Sequence, residues 1–442
     1  MGIFNTSISK LYDKENLLKI LLVFILITLP LKNIFVSISI IAFSIVSLFS
    51  FRKQNKKFLK PLIFPILFFF LMLCSLLWTR DFEKSLFGIQ KQLPLLMIPL
   101  LFIFLPSFTT KIRNFIFKSY SFLMVLFAIY YFTTAVLRYV KNQDTSFFFH
   151  MKLVPIDPGV IYMSVFASFA LFYFIQIKKR NNLENIGLNI LTIFIFLLSS
   201  KSIITIDFII IVCYYSFFTE IPKTTKLTTI TTVGLFLFLS IFFVKEVKER
   251  FLIEYETAFV DNTLNSSQNS KIQAIHSVSL KEAWKNKTFN QDDFFPGTAL
   301  RIYQLRIFCE MLTEQNIFFN GFGLEASQQE IENKAKQYNL FYDYKNYNFH
   351  NQYVQTFAEI GFFGFFILIV MLFVNLLNAL KQKDFLHIAF AITMIMLFLS
   401  ESFFCRQRGI VFFILLYCLF NSFTKKEINN KLNIIAINNS FS

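Results

Sequence analysis

The stretch FHNQYVQTFAEIGFFGFF, residues 349–366, sets a histidine at the lip of an apolar run that carries a carboxylate with it. His350 is one of four histidines, with His150, His276 and His387. None lies at i, i+3 or i+4 from another, so the sequence supports no helical metal site, and neither a metal nor another cofactor is assigned. Histidine is the side chain best placed to take a proton near neutral pH. Before a membrane helix it could equally be an interfacial cap, a role Asn351 fits as well. Glu359 lies roughly 180° round the helix from His350, at about 100° per residue, if one helix begins there. The two therefore do not share a ligand from one helix. A carboxylate inside a span costs several kcal/mol unless it is satisfied. Glu359 is expected to face another helix with a cation as partner, and Asp207 to be a similar paired acid. Gly361 and Gly364 would admit a closely packed neighbouring helix.

Several cations accompany the histidine. Lys201 stands in LLSSKSIIT (197–205), where it could also snorkel harmlessly. Arg301 and Arg306 stand in LRIYQLRIFCEML (300–312), about 140° apart round a helix, so they are not expected to serve one ligand. Arg406 and Arg408 stand in SESFFCRQRGI (400–410), and Lys91 lies near the outer end of the fourth apolar run. His350, Lys201, Arg301, Arg406 and Arg408 come from separate segments, yet the topology below puts them on one side of a membrane. Such a cluster suits an anionic ligand such as a phosphate or pyrophosphate, with the histidine as general base.

The elements that must position these residues are transmembrane helices. The chain has 442 residues, 55% of them hydrophobic, including 64 Phe, and a mean hydropathy of +0.56, which excludes an ordinary soluble domain. Apolar runs long enough to cross a bilayer fall at about 16–32, 33–51, 61–79, 88–105, 114–137, 157–177, 186–200, 203–219, 228–244, 354–379, 385–402 and 408–423. The fourth is interrupted by Pro94 and Pro99. The first is not read as a cleaved signal peptide, because a second span follows at once and no small-residue cleavage site separates them. The expected fold is an all-α polytopic membrane protein of about 12 transmembrane helices, with one large, partly helical outer loop between spans 9 and 10.

The net charge of +16 does not indicate nucleic acid. FRKQNKKFLK (51–60), Lys111 with Arg113, KKR (178–180), Lys223 with Lys226, Lys381 with Lys383, and KK (425–426) fall in alternate connections. That is the positive-inside pattern, with both termini cytoplasmic. The outer segment 245–351 holds 12 Lys and Arg against 14 Asp and Glu, a net of −2, so the rest of the chain carries +18. Three parts follow: spans 1–9 in residues 1–244, the outer segment 245–351, and spans 10–12 with a short tail in 352–442. In the outer segment Leu300, Tyr303, Ile307 and Met311 share a helical face, GFG (321–323) makes a break, and LEASQQEIENKAKQY (324–338) reads as a polar helix. DNTLNSSQNS (261–270) reads as a polar loop. The five cysteines form no CxxC or paired pattern, so no disulfide framework is expected.

Three stretches resemble the O-antigen ligase and Wzy-type polymerase superfamily of bacterial membrane glycosyltransferases. LLSSKSIITIDFII resembles its Ser-Arg span start, with Lys201 in place of the usual arginine. RIYQLRIFCEMLTEQNIFFNGFGLE resembles its arginine-led helix running into a Gly-x-Gly turn, here Gly321 and Gly323. HNQYVQTFAEIGFFGFFILIV resembles its His-Asn-x-Tyr…Glu-x-Gly…Gly signature, here His350, Asn351, Tyr353 and Glu359. The resemblance covers about 187–370, and the span plan extends it to the whole chain. It implies an inverting, metal-independent transfer of a glycan from an undecaprenyl-diphosphate carrier to an acceptor hydroxyl, on lipid A–core or on another glycan, outside the bacterial inner membrane. His350 would deprotonate the acceptor, while Arg301 and Lys201 would hold the diphosphate. Arg406, Arg408 and Lys91 match only in position. Lysine at 201 keeps the charge but lacks the bidentate fork. Ligase and polymerase differ in acceptor, which these residues do not decide. A transporter or flippase, the main rival outside the family, would be expected to show paired repeats and a midplane site.

Overall fold

The computed structural model describes residues 16–50, 60–105, 108–155, 158–219, 255–261, 263–265 and 275–422, with single positions at 224, 227, 231, 234 and 248. Most of the expected ninth span (228–244) and of the basic stretch 51–60, the pair Lys223 and Lys226, the greater part of the expected polar loop 261–270 and the tail with Lys425 and Lys426 lie outside the described residues; within that loop residues 263–265 form a strand.

The membrane part comprises α1 (Asn16–Thr28), α2 (Asn33–Leu48), α3 (Ile63–Cys74), α4 (Phe82–Gln92), α5 (Pro94–Phe104), α6 (Thr110–Asn142), a short α7 (His150–Leu153), α8 (Val160–Gln176), α9 (Asn182–Leu198) and α10 (Lys201–Cys213). An intervening segment holds a two-stranded antiparallel hairpin, β1 (Thr263–Asn265) and β2 (Ile275–Ser277), followed by α11 (Leu280–Lys285), α12 (Gly297–Glu314) and α13 (Ser327–Gln337). Three helices close the described chain: α14 (Gln352–Gln382), α15 (Phe385–Leu397) and α16 (Gln407–Asn421). Among the described residues five helical stretches are long and apolar enough to cross a membrane: Lys60–Leu77, Phe82–Phe104, Thr110–Asn142, Lys201–Phe218 and Gln352–Gln382. Shorter apolar helices of 10–17 residues accompany them.

Helices α8 and α16 are apolar on every side and buried on nearly every side, which makes them the centre of the bundle. Phenylalanines fill the space between them, with Phe166 and Phe169 packing on Phe412 at 5.0 and 5.9 Å between ring centres. The fourth apolar run is built as two pieces. α4 stops at Gln92, and Pro94 opens α5, where its missing N–H leaves no bond unmade.

Cross-contacts set the helix directions. Tyr214, at the end of α10, packs 4.3 Å from Phe385 at the start of α15. Arg113 near the start of α6 pairs with Asp384, and Tyr417 late in α16 donates to the Pro61 carbonyl at 2.9 Å. These groups mark one end of the bundle. The other end gathers the C-terminus of α4 and the starts of α2, α8, α14 and α16 round the connection 398–406. The intervening segment sits on this second end. Its own core of Val278, Phe295, Tyr303, Ile307, Phe322 and Phe349 extends into Val354 and Ala358 of α14. Leu300, Tyr303, Ile307 and Met311 are buried together on α12, as their spacing predicts.

Candidate active site

The connection 398–406 between α15 and α16 is the hub of the site. Asn351 and Gln352, at the start of α14, donate backbone N–H groups to Ser402 Oγ (3.1 Å) and the Phe398 carbonyl (2.8 Å). Gln352 Oε1 accepts from the Phe404 N–H at 2.7 Å. From α4, Gln92 donates to the Phe404 carbonyl at 3.2 Å, and from α8 Tyr162 donates to the Phe403 carbonyl at 3.2 Å. Each bond satisfies a loop backbone group or a helix-end group that would otherwise be buried unpaired, so the loop holds one conformation.

His350 immediately precedes α14. Asn351 is the helix cap, its side chain accepting the Val354 N–H at 3.1 Å, which settles the capping alternative and leaves the imidazole for other work. His350 itself takes a left-handed backbone (φ 45°), with its N–H held by Asn348 Oδ1 at 2.9 Å. That conformation turns the ring toward the hub. His350 Nδ1 lies 3.6 Å from Glu401 Oε2, beyond hydrogen-bond distance, and both atoms are buried without a hydrogen-bond partner. With Nδ1 turned toward the carboxylate, Nε2 is the ring nitrogen left to meet a ligand. Arg301 reaches the same loop from α12, Nε donating to the Ser400 carbonyl at 3.0 Å and a terminal nitrogen to Gly297. His350 and Arg301 thus converge on neighbouring residues of one loop, Glu401 and Ser400. Arg306 points the other way into the outer core, bonded to Glu310 and the Asn286 carbonyl and stacked on Tyr338, so the two arginines diverge as their spacing requires.

The glycines supply the fit between the outer segment and α14. The Phe322 and Gly323 N–H groups donate to the Ala358 and Glu359 carbonyls, and the Phe362 N–H donates to the Phe318 carbonyl. Gly361 breaks α14 with φ 70°, and Gly321 has φ 69°. A Cβ at Gly361 would stand 2.1 Å from the Phe319 carbonyl oxygen, and one at Gly321 2.4 Å from the Glu359 carbonyl. The close neighbour expected at Gly361 is therefore the turn 318–323 of the outer segment, not a second helix. The helix breaks there because two backbones meet.

Residues 186–369 match the family model for the O-antigen ligase. The chain carries an O-antigen ligase domain. The match supports a ligase- or polymerase-type function in general, with lipid-linked glycan and acceptor substrates. No curated protein matches the chain. The matched O-antigen ligase segment includes Lys201, Arg301, Gly321, Gly323, His350, Asn351, Tyr353 and Glu359, and ends before Glu401, Arg406 and Arg408.

The remaining residues divide by what they touch. Lys201 opens α10 behind Ser199 and Ser200, at the same end of the bundle as His350. Arg406 is exposed, with its guanidinium 5.7 Å from the Tyr162 ring centre. Arg408 is buried, one nitrogen donating to Asn33 Oδ1 at 2.9 Å. Lys91 is committed to Glu325 and to the Cys405 carbonyl at 3.0 Å, so it is a brace across the hub. Glu359 is buried beside this pair. Its direct donors are neutral, Gln355 Nε2 at 2.6 Å and Ser327 Oγ at 3.3 Å, in place of the expected cation. Asp207 likewise accepts from the Ser168 hydroxyl at 2.5 Å. Tyr353 donates to the Ile395 carbonyl at 2.9 Å, pinning α14 to α15. The residue sequence reading passed over is Glu401. It stands in the same quoted stretch as Arg406 and Arg408, and an acid at the outer lip of a span was the signal for it.

Proposed function

We propose that this O-antigen ligase domain belongs to an inverting glycosyltransferase. It would move a glycan from an undecaprenyl-diphosphate carrier to an acceptor hydroxyl, on lipid A–core or a similar glycan. The observation that carries the reading is His350 Nδ1 facing the Glu401 carboxylate at 3.6 Å, with Arg301 on the adjacent carbonyl. His350 Nε2 takes the acceptor's hydroxyl proton. The freed oxygen attacks the anomeric carbon, and the bond from that carbon to the diphosphate breaks with its electron pair on the leaving oxygen. Arg301 and Lys201 meet the charge that develops there, the kind of electrostatic stabilisation that dominates many active sites. One displacement inverts the anomeric centre, and these residues complete it without a metal. In this reading the twelve spans leave both termini in the cytoplasm of a bacterium, and residues 245–351 with the hub face the periplasm. A donor diphosphate rides at the membrane surface, which is why the base stands at the lip of a helix.

The test is a gel of surface glycan from a deletion strain of the source cells, complemented with wild type or His350→Ala at equal membrane expression. The variant is expected to fail like the deletion. Long glycan stranded on its carrier with bare core marks a ligase, and single-repeat caps mark a polymerase. A variant that restores wild-type glycan would end the assignment of His350 as base.

A further inference from the structure

The sequence just before His350, FYDYKNYNF (341–349), is unusually rich in tyrosine, and the catalytic reading leaves it unused. In the structure it forms a row of rings on the outer surface. Phe341 lies 6.4 Å from Tyr344, Tyr344 lies 5.8 Å from Tyr347, and Tyr347 lies 5.6 Å from the His350 ring. The middle ring is a fixed prop: the Tyr344 hydroxyl accepts the Phe295 N–H at 3.1 Å, and its ring packs on Phe295 at 5.3 Å. The two flanking rings are exposed, Phe341 by 42% and Tyr347 by 41%. Exposed Asp343 and Asn346 lie between them in the turn.

We propose that Phe341 and Tyr347, held apart by Tyr344, form a platform that binds the acceptor glycan and delivers its hydroxyl to His350. This deepens the function proposed above and rests on it. The aliphatic face of a sugar ring presents C–H bonds of partial positive charge, and an aromatic face is negative, so the two stack. Tyrosine gives such contact area at small entropic cost, since only two side-chain torsions are fixed. Carboxylate and amide groups beside the rings suit the sugar's hydroxyls. The occupant is the acceptor because Nδ1 of His350 faces Glu401, so a hydroxyl must reach Nε2, and the row of rings ends on this same imidazole.

The test uses the full chain in lipid nanodiscs and, as probe, delipidated surface glycan purified from the source cells, with affinity and ring-proton saturation transfer measured. Wild type is expected to bind. Tyr347→Ala and Phe341→Ala are each expected to bind about tenfold more weakly, as truncated aromatic anchors do, and Tyr347→Phe to bind as wild type. Phe341 stands clear of His350, so its variant decides the matter if Tyr347→Ala is misfolded. Unchanged affinity in Phe341→Ala and Tyr347→Ala, with wild type binding, would overturn the platform alone. Wild type that binds no glycan would overturn both the platform and the proposed function.

Discussion

At the scale of single residues, the informative geometry is one imidazole edge against one carboxylate. In the mechanism proposed above Glu401, on the Nδ1 side of His350, is a positioning residue. Glu401→Gln keeps the shape and loses the charge. It is expected to lower kcat about 10²-fold, within the range that acid–base assistance supplies, with little change in donor KM. Glu401→Asp is expected to restore part of that loss. Steady-state kinetics on the purified enzyme check this, and a change in KM alone would show that Glu401 serves binding instead. In the same proposal Arg301 acts through charge, and its bond to the Ser400 carbonyl ties it to the residue beside Glu401.

At the scale of elements, the break in α14 ties the outer segment to the membrane helix. Gly361→Ala would place a methyl 2.1 Å from a backbone oxygen, at a φ of 70° that alanine rarely adopts. Conformational strain alone is on the order of 1–3 kcal/mol, so thermal unfolding in detergent is expected to show a clearly lowered Tm. A second element-scale tie lies inside the outer segment, where α12 meets α13. Burial would raise the Glu310 carboxyl, yet hydrogen bonds from Lys334, Tyr338 and Arg306 outweigh it and hold the group below its ordinary range. A carboxylate lowered on folding adds stability that is present above its unfolded pKa and is lost as pH falls through the folded value. The stability of the wild-type chain is therefore expected to fall as the pH drops below about 4.3, the usual glutamate pKa. Glu310→Gln is expected to flatten that dependence in acid-unfolding curves.

At the scale of the whole molecule, the cross-contacts put His350, Arg301, Lys201 and the hub at one end of the bundle. Arg113, Asp384 and Pro61 mark the other. If the site end is periplasmic, exposed Cys309 on α12 is expected to react with a membrane-impermeant maleimide added to intact spheroplasts at mildly alkaline pH. Cys405 is expected to stay unlabelled, because burial, reinforced by nearby Glu325, pushes its thiol well above its ordinary range. Labelling of Cys309 only after lysis would invert the proposed orientation.

Composition was enough to determine an all-α membrane bundle, and the charge pattern to propose which side each connection faces. Hydrophobic length and alternating lysine-rich connections act locally, so they can be read along the chain. The buried face of α12, the break at GFG and the polar helix after it were legible for the same reason, since helical periodicity is a local property. His350 and Arg301 stood out as residue types in unusual places. What only the tertiary structure decided is which groups meet. It placed Glu401 behind His350, retired Lys91 into a brace with Glu325, satisfied Glu359 with a serine and a glutamine, and turned Gly361 into a seat for the outer turn. Those outcomes depend on packing between segments far apart in the chain. A carboxylate's partner is fixed by three-dimensional distance, which one-dimensional spacing does not carry beyond a single helix.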